Sequence, residues 1–312
     1  MALALILVAA GSLLLYGGAE LTDRGLSRVS IPGVPALGPR AIRVGAEIGV
    51  LAAALAAAGR GETEIAGGLA TGGALFLLAV GMGWRLAVGQ RPLVAPSSTL
   101  LLLAPSGAVI LAALAVSGRY VDRLEGLLLA VGFAGYLVLR LREHADLSGG
   151  EEPPREGAPA REPDPESDGA RSAAPAVVGM AILTGGAVVI VEGGVRLSLA
   201  GNLAAGFVGA SLLAALTTLH RAIPRSLGGE PPEHAAGSLL GSITALLAGV
   251  LGLAALVRPL TIDTGVNLAF LGVAVLSAVV AVALLLRRRA GWILGVALLA
   301  SYATWLVYAS GA

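Results

Sequence analysis

The chain has 312 residues, 56% of them hydrophobic and 13% charged, with a mean hydropathy of +0.85. Water-soluble domains carry about 25% charged residues, so this composition excludes a soluble globular protein and is that of an integral membrane protein. The absence of cysteine excludes disulfides, thiolate metal sites and cysteine nucleophiles, while a net charge of +1 says nothing about partners.

Ten apolar runs, each near the ~20 residues a helix needs to cross the hydrocarbon, predict spans at about 1–19, 36–58, 65–88, 93–116, 124–142, 174–198, 203–222, 235–257, 262–286 and 290–310. They are rich in Leu, Ala, Val and Gly and lack the alternation of a membrane barrel, so the expected class is all-α. The 45 glycines suit the close packing of membrane helices. The first run has no basic stretch before its apolar core and reads as a span, not a cleaved leader. Residues 143–173 are rich in Pro, Glu, Gly and Ser, which predicts a disordered acidic linker. Its acids lack the spacing of a calcium loop.

Arginine sets the expected orientation. With the N-terminus outside, Arg24, Arg28, Arg40, Arg43, Arg85, Arg91, Arg140, Arg142, Arg221, Arg225 and Arg287–Arg289 fall on or near the cytoplasmic side. The other side keeps Arg60, Arg119, Arg123 and Arg258, with Arg196 in or near the sixth span. This positive-inside asymmetry predicts a multi-pass cell-membrane protein with both termini outside and the 143–173 loop in the cytoplasm.

The two halves resemble each other at an offset near 169. "EGLLLAVGFAGYLVL" (125–139) matches "LGVALLASYATWLVY" (294–308), pairing Gly126 with Gly295, Phe133 with Tyr302 and Tyr136 with Trp305. "GGLATGG" (67–73) matches "AGSLLGS" (236–242), and "GGAELTDRG" (17–25) lies opposite "GGAVVIVEGG" (185–194) with a small shift. Residues 1–142 and 174–312 hold five spans each. Five is odd, so the second half is expected to enter the membrane upside down. Inverted repeats of this kind belong to secondary transporters, with the substrate site near the midplane where the halves meet.

At "GAEL…RG", "RGETEIAGG" and "SGRYVDRLEGLLLAVGFAGYL" in the first half, and "VEGGVRL" and "GEPPEHAAGSLLGS" in the second, the sequence resembles the cation/calcium exchanger superfamily over nearly its whole length. The resemblance implies ten transmembrane helices in two inverted five-helix repeats. It also implies antiport of monovalent or divalent cations or protons across the lipid bilayer, with no cofactor. In that family one helix of each repeat carries a pattern like G-T-S-x-P-E and the next G-N-x-x-G-S-N or G-D-x-x-G-S-N. Calcium takes six to eight hard oxygen ligands, several of them carboxylate, which these two helices supply.

This chain departs from the pattern. In the first repeat Gly45 is kept, but Ala46, Glu47, Gly49 and Val50 stand at the Thr, Ser, Pro and Glu positions, and Leu69 and Gly73 at the following Asn and Ser positions. In the second, Thr217 is kept and Thr218 replaces Ser, while His220 and Arg221 stand at the Pro and Glu positions. Its partner helix carries Ser238 at the acid or amide position, retains Ser242 and ends on Ile243. The resemblance therefore gives Glu47, Thr217, Thr218, His220, Arg221, Ser238 and Ser242 as ion-pathway candidates and Ala46, Val50, Leu69 and Gly73 as degenerate motif positions. No residue set makes a confident metal site.

Two placements are open to Arg221: snorkelling to the cytoplasmic interface, or facing the core, where a unit cation about 4 Å from a bound ion opposes binding by roughly 4 kcal/mol. Glu47 is either its buried partner across the interface or a lone protonated acid. His220 is a proton carrier or an interfacial residue. Asp263 and Asn267 resemble a capped helix entrance. Glu20 and Glu192 read as structural, and Glu62 and Glu64 as an outer entrance or a solvated turn. Both family glutamates are gone, which opposes calcium coupling and leaves proton-coupled or altered-substrate transport, or a non-transporting scaffold, as alternatives. No enzyme or nucleic-acid motif is present.

Overall fold

The computed structural model describes residues 1–26, 48–88, 93–94, 105–110, 113, 120–148, 169–222, 232–287 and 289–310. The first helix, α1, is Ala2–Leu26. The next, α2 (Ile48–Arg60), closes in a Schellman turn, with the Gly61 N–H donating to the Ala58 carbonyl at 3.1 Å and the Glu62 N–H to the Ala57 carbonyl at 2.9 Å. Gly61 has φ +90°, which glycine adopts without a Cβ penalty. Two residues turn the chain into α3 (Thr63–Val88), making an antiparallel hairpin. A π-helical turn, Leu77–Met82, interrupts α3.

The helix α4 (Arg123–Ser148) opens with a capping box: the Glu125 N–H donates to Asp122 Oδ1 at 2.8 Å and the Asp122 N–H to Glu125 Oε2 at 2.9 Å. It is followed by α5 (Gly169–Gly201), which ends at Asn202, φ 51°, with the Leu203 N–H on the Ser198 carbonyl. Residues 205–222 form α6, with a π turn at Gly209–Leu213. Residues 232–257 form α7, with a π turn at Ala245–Val250. Last come α8 (Thr264–Arg287) and α9 (Trp292–Ser310). Strands β1 (Leu93–Val94) and β4 (Arg289–Ala290) pair antiparallel, as do β2 (Tyr120–Val121) and β3 (Leu260–Thr261). Each ladder joins one strand from before residue 142 to one from after 174.

Among the described residues six helices are long and apolar enough to cross a membrane, and two shorter apolar ones, Ile48–Arg60 and Ala205–Leu219, lie among them. Burial sorts them into layers. The apolar window of α3 is 94% buried and that of α7 78%, against 22% for α9 and 28% for α1. So α3 and α7 form the centre. The outer helices turn residues such as Leu199 and Val307 outward, where lipid is the matching solvent.

A glycine seam joins α1 to α5. Gly11, Gly18 and Gly25 abut the backbone of Ile190, Leu183 and Ala176, and Gly179, Gly186 and Gly193 abut Thr22, Leu15 and Val8. Each step down one helix is a step up the other, so the two run antiparallel. Both glycine sets recur every seventh residue, the spacing of a left-handed pair, and small residues let the backbones touch. Two more close crossings are antiparallel: Gly126 of α4 on the Gly252 carbonyl of α7, and Gly83 of α3 on the Gly295 carbonyl of α9. The ring pairs Phe133–Tyr136 and Tyr302–Trp305 each lie one turn apart on their helix, with centroids 6.2 and 5.5 Å apart.

Several boundaries differ from expectation. Helix α1 runs on to Leu26, α4 to Ser148, and α5 begins at Gly169 and tolerates Pro175, so both ends of the expected 143–173 linker are helical. Polar residues at a membrane edge meet water without having to leave the helix, and a sequence read by hydropathy stops too soon there. The expected span at 93–116 lies largely outside the described residues, as does 149–168.

Asp263 has the capping role expected of it and a second one. Its carboxylate accepts the Val266 N–H of α8 at 2.7 Å and the Gly206 N–H of α6 at 3.1 Å. The residue before α6, Ala204, has no side-chain cap of its own. One acid thus serves two helix starts. Asp263→Ala is expected to cost about 2 kcal/mol, the sum of two caps at ~1 kcal/mol each. The readout is a thermal melt in detergent, in which Asp263→Asn should recover part of the loss.

Candidate ion pathway

Of the candidate positions, Gly73 and Thr218 meet where α6 lies along α3. A Cβ built at Gly68 would come within 2.5 Å of the Gly206 carbonyl oxygen, and one at Gly72 within 2.0 Å of the Ala210 carbonyl oxygen. Both helices advance together through these contacts, so they run parallel, backbone on backbone. Directly beyond, a Cβ at Gly73 would meet the Thr218 methyl at 3.4 Å and Leu246 of α7 at 3.2 Å. The structure therefore brings together Gly73 and Thr218, two of the expected positions, with the π turn of α7 closing over them.

Thr217 and Thr218 are buried, as are Ser242 and Ile243 of α7, Leu69 and Thr71 of α3 and Val50 of α2. Ser238 is half-buried one turn before Ser242. The start of α2 reaches the α7 π turn, where Ile48, Leu51, Phe133, Ala245, Gly249, Val250 and Leu253 line a wholly apolar hollow of about 40 Å³. Ala46 and Glu47 lie outside the described residues. Helix α6 carries through Ala222, but the side chains of His220 and Arg221 lie outside the described set, and so do those of His144 and His234.

The hydroxyls share one geometry. Thr218 donates to the Ala214 carbonyl at 2.6 Å, Thr217 to Leu213 at 2.8 Å, Ser211 to Phe207 at 2.6 Å, Thr71 to Gly67 at 2.9 Å and Thr244 to Leu240 at 3.0 Å. A hydroxyl that spends its proton on its own helix keeps oxygen lone pairs for another partner, so each can act as a neutral acceptor. Apart from the indole of Trp305, every buried polar side chain among the described residues is a hydroxyl. No group of three or more His, Cys, Asp or Glu able to hold a metal occurs among them.

A polar cluster away from this crossing was only half visible beforehand. Glu192 accepts from Arg196 Nε at 2.7 Å and also pairs with Arg60 of α2. The four-residue spacing to Arg196 is a sequence signal; the contact with Arg60 leaves none.

A polytopic helical membrane protein, with two strongly buried apolar helices among more exposed ones, is the class these features define. Residues 172–311 match the sodium/calcium exchanger protein family. Among solved structures, the chain resembles the sodium-calcium exchanger NCX_Mj soaked with 10 mM Na+ and zero Ca2+, at 18% identity and a TM-score of 0.56, with 98% of each chain covered. It also resembles the H+/Ca2+ exchanger CAX, at 14% identity and a TM-score of 0.70, over 98% of this chain and 86% of that one. No curated protein matches. The low identities carry the fold alone, and the match to the sodium/calcium exchanger family covers residues 172–311.

Proposed function

We propose that the chain is a secondary active antiporter of cations in which calcium is no longer the coupled ion. The observation that supports this most directly is the hydroxyl-only set of buried polar side chains around Thr217 and Thr218, with the alkyl group of Val50 fully buried at a motif-glutamate position. In this mechanism Thr217, Thr218, Ser238 and Ser242 offer neutral oxygens to a monovalent ion. Glu47 and Arg221 neutralise each other across the central interface, and His220 lies beside them as a proton acceptor. Transport proceeds by alternating exposure of the crossing to the two sides.

The proposed architecture is ten helices in two inverted five-helix repeats, 1–142 and 174–312, in the cell membrane with both termini outside and the linker in the cytoplasm. Three features support it. The α1 and α5 glycines stand 168 residues apart and make reciprocal contacts. The π turns Leu77–Met82 and Ala245–Val250 share that offset. Each of the two β ladders pairs a strand of one half with a strand of the other.

Flux in liposomes reconstituted with the full chain tests the function. A sodium gradient is expected to drive no calcium uptake, whereas a monovalent-cation or pH gradient drives monovalent exchange. Sodium-driven calcium uptake would overturn the proposal. Silence under every gradient would instead assign a scaffold that retains only the fold.

A further inference from the structure

We infer that the hollow between α2, α4 and the π turn of α7 is a seat for the methyl end of a phospholipid acyl chain. Its floor is the π turn, where Ala245, Gly249 and Val250 are buried. Its rim is Ile48 and Leu51 of α2, Phe133 of α4 and Leu253 of α7, all half-buried. The Phe133 ring lies against the α7 backbone, so that a Cβ at Gly249 would come within 2.9 Å of it. Tyr136 stacks on that ring one turn along, at a centroid distance of 6.2 Å, and holds the wall in place.

The hollow reflects missing bulk. The π turns of α3 and α7 run over Leu77–Met82 and Ala245–Val250, so position 77 corresponds to 245 and position 82 to 250. Leu77 and Met82 are both fully buried. Alanine in place of leucine and valine in place of methionine leave less side chain on the α7 turn, and the space opens there.

Its chemistry selects the occupant. About 40 Å³ is free, against the ~10–15 Å³ that admits one water. Nothing polar lines it, and a buried water needs two to four polar partners. Close-packed protein does not leave such a space empty. The rim opens outward: Ile48, Leu51 and Leu55 form a half-buried stripe along α2, and Val131, two residues from Phe133, is 61% exposed. On such a face of a membrane-spanning chain the surrounding medium is hydrocarbon.

Depth selects the part of the lipid. Phe133 is the middle residue of the span expected at 124–142. Gly249 lies two residues beyond Leu247, the middle of the apolar stretch Gly237–Val257. Acyl chains end at that level, half of the ~30 Å core from either surface, so the seat reads a chain end and not a headgroup. A seated chain end completes the packing of α2 on α7, whichever ion is carried and whether or not one is.

The full chain in nanodiscs of palmitoyl-oleoyl phosphatidylcholine, deuterated except at its alanine methyls, tests the seat. The Ala245 methyl is expected to show a nuclear Overhauser cross-peak to the terminal methyls of the acyl chains, which disappears when the lipid is chain-deuterated. Ala269, fully buried on α8, should show none. Ala245→Leu fills the seat from within. That variant should melt a few degrees above the parent in detergent, and the rise in melting temperature on adding phospholipid should fall about twofold, alike for phosphatidylcholine and phosphatidylglycerol. Ala245→Val serves if leucine overpacks the site. Three outcomes overturn the seat: no cross-peak at Ala245; a cross-peak that persists in chain-deuterated lipid, as a second copy or another part of this chain would give; or an undiminished lipid response in a folded Ala245→Leu or Ala245→Val variant. Because the readouts are contact and melting, that failure is separate from any failure to observe flux.

Discussion

Gly72→Ala is expected to lower the apparent melting temperature of the detergent-solubilised protein more than any other single methyl addition on α3. The added carbon would lie 2.0 Å from the Ala210 carbonyl oxygen and 2.3 Å from its Cα. Both are backbone atoms of a packed helix, so no rotamer change relieves the clash and α3 must part from α6. Overpacking typically costs about 1–3 kcal/mol, and a backbone clash this close belongs at the upper end. Alanine's helix propensity returns only about 1 kcal/mol. Gly59→Ala is the control, since its Cβ meets nothing within 4 Å; it should be neutral or mildly stabilising. Equal melting of the two variants would show that α3 and α6 do not touch as described.

Restoring acids at positions 50 and 221 together is expected to produce the largest functional change. Val50→Glu alone puts a carboxylate where the native side chain is fully buried, and an unpaired buried charge costs several kcal/mol, so that variant should melt early. Adding Arg221→Glu changes the local charge by two. Removing a cation about 4 Å from an ion lifts an opposition of roughly 4 kcal/mol at an effective dielectric near 20, about a thousandfold in affinity. Millimolar calcium should then raise the melting temperature of the double variant, and a sodium gradient should drive calcium uptake that the parent lacks. A well-folded double variant showing neither response would remove positions 50 and 221 from any shared ion site.

Much of the fold was legible because lipid poses a simple question to a sequence. Each span must be apolar for about twenty residues, and Thr264–Arg287 and Trp292–Ser310 answer it almost to the residue. The aligned glycines at 126 and 295 mark equivalent crossings, since both meet the C-terminal half of a central helix. What hydropathy could not give was register. The block at 17–25 matches 185–194 without the expected shift once Gly18 and Gly25 are seen to serve as Gly186 and Gly193 do, a fact carried by backbone distance alone. Nor could it find Arg60 beside Glu192, because a contact between partly exposed side chains far apart in the chain imposes no periodicity. The candidate positions came from the resemblance, as a set of substitutions in its motifs. That Gly73 faces Thr218 needed three helices in place.

The glycine seam also sets a timetable for making the protein. Helix α1 meets few neighbours apart from α5, and its partner glycines are encoded 168 residues later. At a synthesis rate of about 5–20 residues per second, α1 spends on the order of ten seconds in the bilayer with its small-residue groove facing acyl chains. A nascent chain arrested before Gly169 would present that groove indefinitely, so a helix made well before its partner is among the last to find its place.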